Sequence, residues 1–334
     1  MPLWPVYTGT NEPHDGITEL PPPPPWRAFD GGPVLELPDA GEDAAATSPD
    51  RTHRAETYRA TEQTVQLVNA ALYLRRPLLV TGPPGTGKSS LAYAVARELR
   101  LGPVLRWNIT SRSTLHDALY QYDPLSRLYA ARNSTTPETG IEDHLRLGPL
   151  GTALLPYARP RALLIDEIDK SDLDLPNDLL NVLEEGQYEI PELVRTARRT
   201  PEAEVMVDGT DERVTVHRGR VRCKAFPFVV LTSNGEREFP PAFLRRCVTL
   251  RLRQPDDSRL ADIVRAHFDE EPDADAQRLI DRFLSRVGGG DLATDQLLNA
   301  IYLARSSDLP AENLDELAEQ LMPYLGETSQ SDAF

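Results

Sequence analysis

Apolar residues in this chain gather in five short runs: Pro77–Val80, Val104–Ile109, Ala162–Ile165, Phe226–Leu231 and Val248–Leu252. Each is rich in Val, Ile and Leu and too short to stand as a helix. Such runs read as strands buried on both faces. Most of the segments between them carry apolar residues at helical spacing. Val65, Val68, Ala71 and Leu72 predict a helix within Thr57–Leu74 that ends at Arg75-Arg76, and Ser90–Leu99 is amphipathic. Alternating strands and helices predict an α/β fold, a parallel sheet with helices on both faces.

After Pro255 only the helical period remains. Leu260, Ile263, Val264 and Phe268 form one apolar set, and Leu279, Ile280, Phe283, Leu284 and Val287 a second. Leu297, Leu298, Ile301 and Tyr302 form a third, and Leu314, Leu317, Leu321 and Leu325 a fourth. Gly288–Gly290 and Pro310 break the pattern. The chain therefore divides into a mixed core over 51–254 and a small all-helical domain over 255–334.

Composition adds a third part. Residues 1–50 hold 11 of the 30 prolines, including Pro21 to Pro25, and nine acidic residues against the single base Arg27. That composition predicts a disordered acidic tail with a polyproline rod. Trp4, Tyr7, Trp26 and Phe29 leave open docking on the body or on a partner. The whole chain carries 36 basic and 52 acidic residues, a net charge of −16, which argues against binding duplex DNA through general electrostatics. Cys223 and Cys247 have neither metal-ligand nor disulfide spacing and read as small core residues. The N-terminus lacks a secretory signal, and no apolar run nears the roughly 20 residues of a membrane span. A cytoplasmic protein is expected.

The candidate chemistry begins directly after the first strand. Gly82, Pro83, Pro84, Gly85, Thr86, Gly87, Lys88 and Ser89, followed by Ser90, form a P-loop pattern between a strand and a helix that begins at Lys88. The glycines let the backbone N–H groups converge on a phosphate, and the helix N-terminus faces the same point. Lys88 would reach the β/γ-phosphates and Ser89 would supply a hydroxyl to Mg²⁺. A second run, Ala162–Ile165, delivers Asp166 and Glu167 to a strand end, Asp166 for the metal and Glu167 for the attacking water. Asn234, after the strand Val229–Ser233, can hydrogen-bond the water or the γ-phosphate, although Asn before Gly235 is also an ordinary turn. Arg245 and Arg246 end a short helical stretch. They suit either a local acidic network or the nucleotide of a neighbouring subunit.

These stretches resemble AAA+ ATPases in order and spacing. The linking segments Arg106–His116, Leu147–Leu150, Asp166–Lys170, Asn181–Gly186 and Thr232–Pro241 resemble the MoxR-type branch, close to members that activate carbon-fixation and denitrification enzymes. The similarity covers about residues 55 to 305. It implies a three-layer P-loop core with a helical lid, Mg·ATP as the cofactor, and a ring, commonly a hexamer. It also implies Asp166-Glu167 as the Walker B pair with Glu167 as base, Asn234 as sensor 1, and one of Arg245 and Arg246 acting in trans. Asn108 matches the polar residue that restrains the catalytic Glu; a strand-end cap is its plain alternative. The family often starts the third lid helix with a basic residue, sensor 2. Here that region reads Asp291-Leu-Ala-Thr294, with no Arg or Lys between Val287 and Ala304. Either Arg286 or another residue substitutes, or this sensor is lost.

Two inserts follow from the same reading. Valines alternate on each side of Asp208-Gly209 within Glu204–Val216, a hairpin signal that resembles the family's pre-sensor-1 hairpin. Residues 195–224 carry eight basic against five acidic residues, which suits a grip on a partner or a plain solvated face. The second insert, Tyr120–Leu150, holds Tyr120, Tyr122, Leu125, Leu128 and Tyr129, which read as local core. The expected function is an ATP-driven machine that remodels a partner protein, by resemblance one with a separately encoded von Willebrand A-type module. The alternatives are a nucleic-acid-linked NTPase of a restriction or defence system and a nucleotide-dependent switch.

Overall fold

The computed structural model describes residues 6–38, 48–133, 140–287, 293–306 and 321. Five parallel strands form the central sheet: β1 (Leu78–Thr81), β2 (Leu105–Asn108), β3 (Ala162–Asp166), β4 (Phe228–Ser233) and β5 (Val248–Arg251). Their spatial order is β5-β1-β4-β3-β2. The pleat sends alternate residues to two separate cores. Leu79, Leu163, Ile165, Val229 and Leu231 join one cluster. Leu78, Val80, Leu164 and Val230 join the other. Burial on both faces explains why β1, β3 and β4 read as continuous apolar runs, whereas the edge strands β2 and β5 bury only alternate residues.

Because all five strands run the same way, the residues after β1, β2, β3 and β4 meet along one edge. Gly82 N–H donates to the Ser233 carbonyl (3.3 Å) and Ile109 N–H to the Asp166 carbonyl (3.0 Å), which ties these exits together. A second, six-stranded sheet is built from the inserts. Its hairpin pairs Glu202–Met206 with Arg213–His217, from Glu202↔His217 to Met206↔Arg213. Tyr120–Tyr122 runs antiparallel to Leu145–Leu147 in the same sheet.

Helix α1 (Glu62–Leu74) precedes β1 and α2 (Ser90–Glu98) follows the P-loop. The helix expected to begin at Lys88 starts at Ser90, and the helix expected within Thr57–Leu74 is broken at 58–61. The break has a local cause: Thr61 caps α1, its hydroxyl accepting the Thr64 N–H at 3.1 Å. A separate helix, Pro49–Thr57, lies ahead of it. Helix α3 (Leu175–Glu185) follows β3.

Helices α4 (Asp257–Phe268), α5 (Ala274–Val287) and α6 (Thr294–Ser306) follow β5. Leu260, Val264, Ile280, Phe283, Leu297 and Ile301 form their own core, and Leu321 packs against it. Tyr302, read as part of the third apolar set, is exposed. Leu314, Leu317 and Leu325 of the fourth set lie outside the described residues, as do Gly288–Gly290, Asp291 and Pro310. Among the described residues, no helix is long and apolar enough to cross a membrane.

The disordered tail is corrected over residues 6–38. Val6, Tyr7 and Ile17 are buried against α1 and α2, and Arg27 is buried as well. The arm's backbone polar groups find partners on side chains of the body. The Asn69 amide exchanges hydrogen bonds with Tyr7 N–H and C=O (2.9 and 2.7 Å). Arg27 donates to the carbonyls of Arg75, Leu183 and Glu184 while its guanidinium packs on the Phe29 and Phe226 rings. Trp26 stays 77% exposed. Trp4 and residues 39–47 lie outside the described residues.

The aromatic insert is also corrected in part. Tyr120 is buried and Tyr122 packs against the core, but Leu125, Leu128 and Tyr129 are exposed on the helix Pro124–Asn133. Both cysteines are buried, and burial pushes their thiols up to about 12, as suits inert core residues.

Candidate functional site

The P-loop curls over the C-terminal end of β1. Lys88 folds back so that its Nζ donates to the Gly82 and Pro83 carbonyls (2.8 and 2.7 Å), and Thr86 Oγ1 donates to the same Pro83 carbonyl (2.9 Å). Ser89 stands at the N-cap of α2, where its hydroxyl donates to Asp166 Oδ1 at 2.7 Å. Gly82, Gly85 and Gly87 have positive φ, 153°, 72° and 81°. Pro84 completes the loop and Ser90 opens the helix.

Asp166 ends β3 and is only 8% exposed. Its Oδ1 accepts from Ser89 and from Thr232 Oγ1 (2.6 Å), and its Oδ2 accepts from Arg106 Nη2 (3.0 Å). Glu167 follows with φ 62° and ψ 49°. A non-glycine residue in this left-handed region is strained and must be held there by its surroundings. Thr232 supplies part of the hold, because its hydroxyl accepts the Glu167 N–H at 2.9 Å. The Glu167 side chain is partly exposed and pairs with Lys170 Nζ at 2.8 Å. That hydrogen bond raises the Lys170 ammonium above its ordinary range.

Asn234 follows β4, one strand over from Asp166. Its loop is fastened by Asp169, whose Oδ2 accepts the N–H groups of Asn234, Gly235 and Glu236 at 2.9, 3.1 and 3.2 Å. Asp169 is buried, and its Oδ1 has no partner among the described residues. Asn108 ends β2 in register with Asp166. In this structure Lys170 holds the Glu167 carboxylate, and the exposed Asn108 side chain makes no hydrogen bond among the described residues. Lys170 lies three residues after Glu167 in the same turn and reaches it without crossing from another strand.

Arg245 and Arg246 lie at the opposite end of β1. Arg76 Nη1 donates to the Arg245 carbonyl (3.1 Å), and Val248 N–H donates to the Pro77 carbonyl (2.8 Å). The four residues of β1 separate them from the P-loop by roughly 13 Å at about 3.3 Å per residue. The two arginines differ in their surroundings. Arg246 pairs with Glu184 on α3 (2.9 Å), the local acidic network. Arg245 is exposed, and its guanidinium has no partner among the described residues.

The helical domain closes onto the loop directly. A Cβ on Gly85 would lie 2.5 Å from both Ala293 Cα and Thr294 N, so the start of α6 sits against the P-loop. Gly85→Ala is expected to push α6 off, because its φ of 72° and the contact both exclude a side chain. Amide exchange at residues 294–297 should rise by about tenfold or more relative to the unmodified protein, as for a segment that opens locally.

Oxygen donors of Ser89 and Asp166, side by side at the start of α2, fit a hard divalent cation such as Mg²⁺, which takes few protein ligands and completes its shell with phosphates and water. Three positioning residues escaped the sequence reading. Thr232 and Asp169 are buried polar residues beside apolar runs, a weak signal. Arg106 alternates with the core residues Leu105 and Trp107 on β2, and that pattern marks it as facing away from the core together with Asn108.

Residues 77–247 match the AAA domain (dynein-related subfamily). The chain is 29% identical over 214 residues to the gas vesicle ATPase GvpN1 of Halobacterium salinarum, covering 61% of this chain and 54% of that protein. It is 30% identical over 214 residues to the gas vesicle ATPase GvpN of Haloferax mediterranei, with the same coverage. An ATP-dependent protease ATP-binding subunit-like protein of Rhodococcus erythropolis is 29% identical over 175 residues, 50% of this chain and 44% of that one. The chain spans about half the length of the curated relatives it matches. The match takes in half of the chain, including the P-loop, the Asp166-Glu167 pair, Asn234 and both arginines: this chain belongs to the dynein-related subfamily of AAA domains.

Proposed function

We propose that this chain is a MoxR-type AAA+ ATPase that assembles into a ring and uses ATP hydrolysis to remodel a partner protein. The observation that carries the ATPase reading is the convergence of Ser89, Asp166, Glu167, Thr232 and Asn234 at one sheet edge, from three separate strands. The P-loop N–H groups bind the phosphates, and Lys88 exchanges its loop carbonyls for β/γ-oxygens. Ser89 and Asp166 would hold a Mg²⁺, which would supply charge neutralisation on the nucleotide's phosphates. Glu167 orients the attacking water and accepts its proton, and Asn234 steadies that water or the γ-phosphate.

Supporting the ring is the position of Arg245. Its guanidinium has no partner among the described residues of its own protomer and lies far from that protomer's P-loop, so it suits the nucleotide of the adjacent one. Mg·ATP turnover should rise with protein concentration as the ring assembles. Arg245→Ala should lower it by about 10³-fold, in the range for a trans-acting arginine. Arg246→Ala should change turnover only a few-fold, since Arg246 is committed to Glu184. Equal losses in both variants would remove the assignment to Arg245.

The relatives are named for gas vesicles in two cases and for a protease subunit in the third. We propose a protein client on this basis, for example one with a von Willebrand A-type module. The exposed Leu125, Leu128 and Tyr129 of the insert helix offer it an apolar contact. Salt-sensitive DNA binding with DNA-stimulated turnover would instead assign the chain to nucleic-acid work.

A further inference from the structure

We propose that Arg106 is a cis-acting cation of the hydrolytic site, stored on Asp166 and transferred to the reacting phosphate when a divalent cation takes that carboxylate. The inference rests on the ATPase reading above. Arg106 projects from β2 between two core residues, and its Nη2 lies 3.0 Å from Asp166 Oδ2. The other carboxylate oxygen is filled by Ser89 and Thr232. Asp166 is largely shielded from water, so its charge needs a counter-ion, and the Arg106 guanidinium supplies it at Oδ2. A metal at Ser89 and Asp166 must therefore compete with Arg106 for Oδ2.

Asp166 also bonds Ser89 at the end of the P-loop, so a displaced guanidinium starts one carboxylate away from that loop. Its flat fork of donors suits phosphoryl oxygens, and it cannot neutralise itself by losing a proton. The helical domain has no Arg or Lys from Gly288 to Leu303, the stretch that leads into and forms most of α6. Within the described site, Lys88 bonds the loop carbonyls, Lys170 bonds Glu167, and Arg106 bonds the metal-facing carboxylate. Arg106 thus sits where a cation can respond to metal and phosphate together. A purely structural alternative makes the same ion pair a staple between β2 and β3.

Arg106→Gln separates the two. The full chain is titrated with Mg²⁺ in the presence of a fluorescent ATP analogue, and steady-state turnover is measured alongside. With the competitor removed, the Mg²⁺ needed for half-saturation should fall about three- to tenfold, the scale of a half-exposed ion pair. The kcat should fall about 10²-fold with KM within about threefold, as for loss of one donor to the transition state. Arg106→Lys keeps the charge without the fork. It should lower kcat by about tenfold, and it stands in should the Gln variant fail to fold. An unchanged Mg²⁺ requirement, or a kcat within twofold of the unmodified protein, makes Arg106 a staple and overturns the proposal. An unmodified chain that binds no ATP analogue overturns the ATPase reading, and this inference with it.

Discussion

Glu167→Gln is expected to lower ATP turnover by about 10²–10⁴-fold, the usual contribution of a positioned general base, while nucleotide affinity stays within about threefold. The split follows from the geometry. In the proposed site, phosphate and metal binding rest on the P-loop, Ser89 and Asp166, none of which the substitution touches. The backbone of Glu167 is held at φ 62° by a hydrogen bond from its N–H to the Thr232 hydroxyl, so the Gln side chain should leave from the same point. What changes is the capacity to accept a proton. The amide also loses the ion pair to Lys170, a partly exposed contact worth about 0–1 kcal/mol, so stability should barely move. Phosphate release, analogue binding and thermal melting measured on one preparation check all three. Turnover within twofold of the unmodified protein would mean that Glu167 is not the base.

Glu98→Ala should destabilise the chain by about 3–5 kcal/mol, the range for removing one partner of a buried charged network. Glu98 ends α2 and is fully buried. Its Oε1 accepts Thr8 N–H and Gly9 N–H as well as Thr8 Oγ1 (2.6, 3.1 and 2.9 Å), and its Oε2 accepts Asn11 N–H (3.0 Å). His14 Nε2 lies 3.2 Å away. Two outcomes are open to the variant, and both are costly. If the arm stays docked, several buried donors lose their acceptor. If it leaves, Val6, Tyr7 and Ile17 are returned to water. Denaturant unfolding measures the loss, and amide exchange over residues 7–17 tells which outcome occurs. Full protection of those amides with unchanged stability would show that the carboxylate is not what fastens the arm.

Legibility tracked how local each signal is. The three inner strands were readable because burial on both faces leaves apolar runs with nothing to break them, and the edge strands β2 and β5 because an apolar residue recurs at every second position. The hairpin around Asp208-Gly209 was readable because its turn chemistry and alternation lie within a dozen residues. The arm at 6–38 was not. Its composition is that of a chain that cannot bury itself, but Glu98, Asn69 and the carbonyls that receive Arg27 lie elsewhere in the sequence. The insert helix misled for a related reason. Leu125, Leu128 and Tyr129 have core-like chemistry, and only the packing leaves them exposed.

Within the site, residue types and spacing alone determined where phosphate, metal and water chemistry can gather: the P-loop from Gly82 to Ser89, Asp166-Glu167, and Asn234. Each motif sits beside its own strand, and a parallel sheet brings all strand ends to one edge. The tertiary structure decided what such reasoning cannot reach. It separated Arg245 from Arg246 by giving Glu184 to one of them. It set Lys170 rather than Asn108 on Glu167, and it set Arg106 on Asp166. Hydrogen bonds form between atoms within about 3 Å of each other. Which side chains come that close is fixed by strand order and register, and neither is written in the spacing of any one motif.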